Sequence, residues 1–168
     1  RGGDRLPRPL GRITPLRPAE VWEAAQSSRL WVGWHFLCHK CDHWHVNLAG
    51  GYPVTADGVI ATCYHVAEPG PEIREGRLVA VDSAGSVYPV TTVLARSRTM
   101  DTCLVRAEGL KVDPLPLNDQ IHPGDPAFLL STPLEISGYF STGIVNRFYW
   151  NPKTARGSKP AAEDALKH

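Results

Sequence analysis

Two residues of the chain have the types and neighbours an acid–base pair needs. His65 follows the apolar run Val59-Ile60-Ala61-Thr62-Cys63, which leaves an Asp57-Gly58 turn, and it is followed by Val66-Ala67. An imidazole at a strand end lies where loops carry chemistry on a rigid frame. Asp101 stands immediately before a second apolar run, Thr102-Cys103-Leu104-Val105, with Met100 on its other side. That setting predicts a partly desolvated carboxylate. Held by such a carboxylate, a histidine keeps one tautomer and works as a general base near neutral pH.

A second concentration of reactive side chains is Cys38-His39-Lys40-Cys41-Asp42-His43-Trp44-His45. A Cys-x-x-Cys knuckle binds zinc well, and His43 and His45 fall on one face of a strand, so Cys38, Cys41, His43 and His45 form a candidate metal set. Structural zinc sites, however, usually join two ligand pairs that are separated in sequence. Read alone, the cluster points to a small metal-binding interaction module without catalysis.

The elements that must position these residues are short strands. Leu30–Leu37, Trp44–Val54, Val59–Cys63, Arg77–Asp82, Val87–Ala95, Thr102–Ala107, Ala127–Leu130 and Tyr139–Arg147 are apolar or alternating runs, parted by Gly, Pro, Asp and Ser turns. No long helices alternate with them, so the chain reads as an all-β barrel or sandwich. Upstream, Pro18 opens a short helix whose apolar face is Val21, Trp22 and Ala25. Residues 1–17 hold Pro7, Pro9 and Pro15 among arginines and read as an arm or linker. Residues 161–167 are helix-tolerant. A length of 168 residues suits one domain. The net charge of +1 offers no warrant for a nucleic-acid or membrane-surface partner, and no apolar run is long enough to span a bilayer. The five tryptophans therefore read as core or barrel-face residues rather than a base-stacking platform, and Asp57, Asp82 and Asp113 as solvated turn residues. Four cysteines make no disulfide scaffold in a chain of this size and leave the compartment open.

Gly51-Tyr52-Pro53-Val54, with Asp57-Gly58-Val59-Ile60-Ala61-Thr62-Cys63-Tyr64-His65-Val66, resembles the histidine segment of trypsin-like serine proteases, closest to the bacterial Deg-type (high-temperature-requirement) branch. Asp101-Thr102-Cys103-Leu104-Val105 is similar to that group's aspartate strand. Pro114–Leu117, Pro123–Pro126, Ser131-Thr132-Pro133 and Ser141–Val145 resemble the entry to its second barrel. The resemblance implies an all-β fold of two six-stranded antiparallel barrels. The first would be complete over residues 29–112, after a short helix at 18–28. The second would be only begun within residues 113–168. It also implies a His-Asp-Ser triad with His65 as general base and Asp101 as its orienting carboxylate. The expected substrate is a protein or peptide, and the chemistry needs no metal or other cofactor; the localisation is unknown from the residues, and the resemblance only favours a periplasmic or secreted setting. Nothing in the sequence sets an oligomeric state.

The family's Gly-x-Ser-Gly-Gly serine motif does not occur between Asp101 and His168. Ser158, in Gly157-Ser158-Lys159-Pro160, is its nearest imitation and lacks the following glycines. The chain therefore reads as the histidine and aspartate portion of a protease whose serine lies beyond it; a serine-less binding or scaffolding domain is the alternative. Two departures concern cysteine. Cys63-Tyr64 replaces small residues, and Cys103 takes an apolar core position. If His65 and Asp101 join as the resemblance implies, the two thiols come close together, either as buried small hydrophobes or as a redox-sensitive pair. In this reading the Cys38–His45 cluster is the first hairpin turn of barrel one, plain or clipped by a disulfide.

Overall fold

The computed structural model describes residues 16–131 and 138–148. Residues 1–15 of the proline- and arginine-rich arm, the helix-tolerant stretch at 161–167, Trp150 and Ser158 fall outside these residues.

Pro18–Gln26 forms helix α1, opened by Pro at its first turn and by the Glu20 carboxylate, which accepts the Arg17 backbone N–H at 2.8 Å. Six strands follow: β1 (Leu30–Cys38), β2 (Trp44–Pro53), β3 (Val59–Thr62), β4 (Ile73–Asp82), β5 (Val87–Ser97) and β6 (Thr102–Ala107). A single helical turn, α2 (Tyr64–Ala67), lies between β3 and β4. The six strands close into an antiparallel barrel in the order β1-β2-β3-β6-β5-β4. Strands β7 (Pro126–Ser131) and β8 (Tyr139–Ile144) form a separate antiparallel pair. The all-β reading and the complete first barrel are thus borne out. The β7–β8 ribbon fits the partial second barrel.

Alternation explains closure. Leu30 and Val32 of β1, Leu78 and Ala80 of β4, and Cys103, Val105 and Ala107 of β6 point inward at two-residue spacing, and they meet Ile60 of β3 and Leu110 in one core. β2 serves two neighbours. Its first part pairs with β1, ending at Leu30 opposite Gly51, and Tyr52 and Pro53 then pair with Ala61 and Ile60 of β3. The changeover needs Gly51, where a Cβ would sit 2.8 Å from Val32 Cγ2 and 3.0 Å from Ile60 Cγ2. The turn into β3 needs Gly58, which has φ +95° and leaves no room for a Cβ against the Ala107 carbonyl.

Trp22 of α1 meets Phe140 of β8 edge-on at 5.5 Å, and Phe128 of β7 stacks on Phe140 at 5.8 Å. The N-terminal helix therefore packs against the small ribbon. No helix among the described residues is long and apolar enough to cross a membrane.

Candidate active site

His65 does not sit on the end of β3, as its surroundings in sequence suggest, but inside the one-turn helix α2 that follows it. Cys63 caps this turn with extended backbone, and the Val66 and Glu68 N–H groups donate to the carbonyls of Cys63 and Tyr64. Val66 and Ala67 pack onto the barrel core, so the opposite side of the turn presents His65 to solvent. The turn is also fastened laterally. Tyr64 Oη donates to Glu68 at 2.9 Å, and Arg98, from the β5–β6 connection, lies over the Tyr64 ring and 3.8 Å from Glu68.

Asp101 ends that same connection. Its φ of 50° is left-handed, a conformation aspartate tolerates better than most residues. The twist carries its carboxylate back towards α2. Oδ2 lies 2.8 Å from His65 Nδ1, while Oδ1 accepts from the His65 backbone N–H at 3.0 Å and lies 3.0 Å from Nδ1. The backbone N–H of His65, then its ring, hold the Asp101 carboxyl below the usual carboxylate range. An ionised carboxylate only accepts, so the ring's hydrogen belongs on Nδ1, and Nε2 of the neutral ring keeps a lone pair for a proton. Asp101 is only partly desolvated: its side chain is 48% exposed, that of His65 is 68% exposed, and Met100 faces solvent.

Cys63 joins this pair, with its Sγ and one ligand atom each of His65 and Asp101 all within 4.8 Å of one another. Partial desolvation of the sulfur and then the Asp101 charge push its thiol pKa up, which disfavours the nucleophilic thiolate. Reading Cys63 and Cys103 as two buried hydrophobes holds for Cys103 alone, since Cys63 is exposed. Both are free and line a cavity of about 640 Å³ beside Asp101, which is further bounded by Gly51, Tyr52, Ser97 and Leu130 of β7.

At the hairpin tip the candidate metal set is brought together only in part. Cys38, Cys41 and His45 converge, whereas His43, which precedes β2 and whose carbonyl accepts the Cys38 N–H, stands outside the group. The cysteines are free, so the tip is not clipped by a disulfide.

A family profile described as the trypsin-like peptidase domain matches residues 50–161, two thirds of the chain. The chain belongs to the trypsin-like peptidase family. No curated protein matches it. In this trypsin-like domain the matched residues take in β3, α2 and the Asp101 turn, and thus the whole His65–Asp101 pair, while β1 and the Cys38–His45 tip lie before the match.

The depressed carboxyls give a pH expectation. Asp101, Asp57 (bonded by Thr55 and Arg106) and Asp82 (bonded by Ser86, Tyr88 and Ala84) all have folded pKa values below the unfolded value of about 3.9. The unfolded chain therefore binds more protons below about pH 4, so stability rises with pH there. The stabilising contribution is complete above the unfolded value and is lost as pH falls through the folded ones. Urea midpoints should fall between about pH 5 and pH 3, with a slope flattened by Asp57→Asn with Asp82→Asn. A midpoint unchanged over that range would contradict the assignment.

Proposed function

We propose that this trypsin-like domain supplies the general base and orienting carboxylate of a serine endopeptidase. His65 takes the proton of a serine hydroxyl as that oxygen attacks a peptide carbonyl, then returns it to the leaving amine. Asp101 keeps the hydrogen on Nδ1 and stabilises the imidazolium between those steps. The nucleophile is a serine supplied from outside these 168 residues, in a Gly-x-Ser-Gly setting whose backbone N–H groups bind the developing oxyanion. The observation that carries this reading is the 2.8 Å pairing of His65 Nδ1 with an Asp101 held ionised on a trypsin-like barrel. The sequence likeness around His65 and Asp101 favours a Deg-type relative within the family. The exposure of the pair agrees with a site that a second barrel covers during turnover.

The test uses the protein from its complete reading frame, treated with a fluorophosphonate probe. The expected adduct is on a serine C-terminal to Asp101, absent in His65→Ala, while residues 1–168 alone stay unlabelled. A complete protein that takes up no probe and carries no serine in that setting would make the domain a binding scaffold.

A further inference from the structure

We propose that Cys38, Cys41 and His45 bind a zinc ion that clips the tip of the β1–β2 hairpin. Their ligand atoms all lie within 4.8 Å of one another, and Cys41 Sγ is 3.0 Å from His45 Nε2. Tetrahedral zinc with bonds of about 2.3 Å to sulfur and 2.0–2.1 Å to nitrogen sets such ligand atoms roughly 3.5–3.8 Å apart, so small side-chain rotations suffice.

The rest of the tip selects these three from a cluster rich in other donors. His39 Nε2 is engaged by the Pro71 carbonyl at 2.6 Å, and the Asp42 carboxylate is paired with Arg74. The His45 ring is set by stacking on Phe36, its partner across the sheet, at 5.6 Å between centroids. Asp42 is left-handed, with φ 54°, and its N–H returns to the Cys38 carbonyl at 3.0 Å, which folds the Cys-x-x-Cys segment back on itself. The backbone N–H of Lys40 is then aimed at Cys38 Sγ, at 3.4 Å.

Binding balances simply. Cys38 and Cys41 each lose their thiol proton to solvent, His45 binds through neutral Nε2, and the ion with two thiolates is uncharged overall. Cys41 and His45 are exposed, so the fourth position faces water. Two sulfurs and an imidazole suit zinc far better than magnesium or calcium. The tip also holds the segment that follows the His65 turn, because the His39 N–H donates to the Glu72 carbonyl at 3.2 Å. Zinc would therefore brace that segment from outside the active site.

The test titrates the reduced, chelator-treated 168-residue chain with Co²⁺ and then Zn²⁺. Expected are a thiolate-to-cobalt charge-transfer band saturating at equimolar metal and its displacement by zinc. Zinc should also slow alkylation of Cys38 and Cys41 roughly tenfold or more, with Cys63 and Cys103 unaffected. Cys41→Ser should weaken the band, His45→Gln should lower cobalt affinity at least about tenfold, and His43→Gln should change neither. No charge-transfer band, alkylation of Cys41 indifferent to zinc, or metal binding that survives Cys41→Ser combined with His45→Gln would overturn the proposal.

Discussion

Asp101→Asn in the complete protein is expected to lower kcat for peptide-bond hydrolysis about 10⁴-fold while leaving KM and the folded barrel nearly unchanged. The reason lies in how the two carboxylate oxygens divide their work. Oδ1 accepts the His65 backbone N–H, and Oδ2 sits closest to Nδ1, at 2.8 Å. Asparagine has one oxygen. If it keeps the backbone bond, its NH₂ faces Nδ1, which must then accept, and the ring hydrogen moves to Nε2, the atom the serine needs as a base. If the amide flips, the His65 N–H faces a donor and α2 is pushed from its place. Either arrangement disables the ring without emptying the site. His65→Ala should match it in size, and the double variant should be no worse than about tenfold below either single, because the residues act as a unit. Steady-state kinetics on a peptide substrate, with circular dichroism to verify the fold, decides it. A loss below about tenfold for Asp101→Asn would remove the aspartate from the mechanism.

The strands could be read from the sequence because each inward-facing run is bounded by a turn signal. Thr102–Ala107 begins and ends as expected, and Leu30–Cys38 differs by one residue. β4 was harder. Its first part, Ile73-Arg74-Glu75-Gly76, is polar and looks like loop, yet it is strand because Leu37 and Phe36 of β1 pair with Glu75 and Gly76. That pairing spans far too much chain to leave a local pattern. α2 escaped for the opposite reason: four residues are too few for a helical period to show. The neighbourhood of His65 and Asp101 was suggested by likeness to a family, whereas the left-handed turn that joins them follows from backbone geometry that no residue pattern announces. At the hairpin tip, spacing named four possible ligands, and only neighbouring chain segments could sort them. Pro71 engages His39 and Arg74 engages Asp42, and both belong to a stretch some thirty residues away.

The barrel's own stability should hinge on Ile60, which is fully buried between β2 and β6. Ile60→Ala is expected to cost about 2–5 kcal/mol, a large share of the roughly 5–15 kcal/mol that holds a domain of this size. The cavity cannot collapse easily. Ile60 Cγ2 fills the space above Gly51, and β2 cannot move inward there without losing its pairing to both β1 and β3. Ile60→Val, which removes one methyl group, should cost only about 0.5–1.5 kcal/mol, and Val46→Ala, at an exposed β2 position, within about 0.5 kcal/mol of zero. Urea unfolding of the three variants separates a packing effect from a general weakening of the sheet, because all three keep the backbone ladder. Equal losses at Ile60 and Val46 would contradict the inward and outward assignment of these strands. The consequence reaches the active site through β3 itself. His65 rides on the turn that this strand delivers, and Val66 and Ala67 pack on the same core. In the complete protein Ile60→Ala should therefore lower the temperature at which activity is lost while sparing kcat well below that temperature. A fall in kcat already present in the cold would mean that the core positions His65 directly and does more than keep the barrel closed.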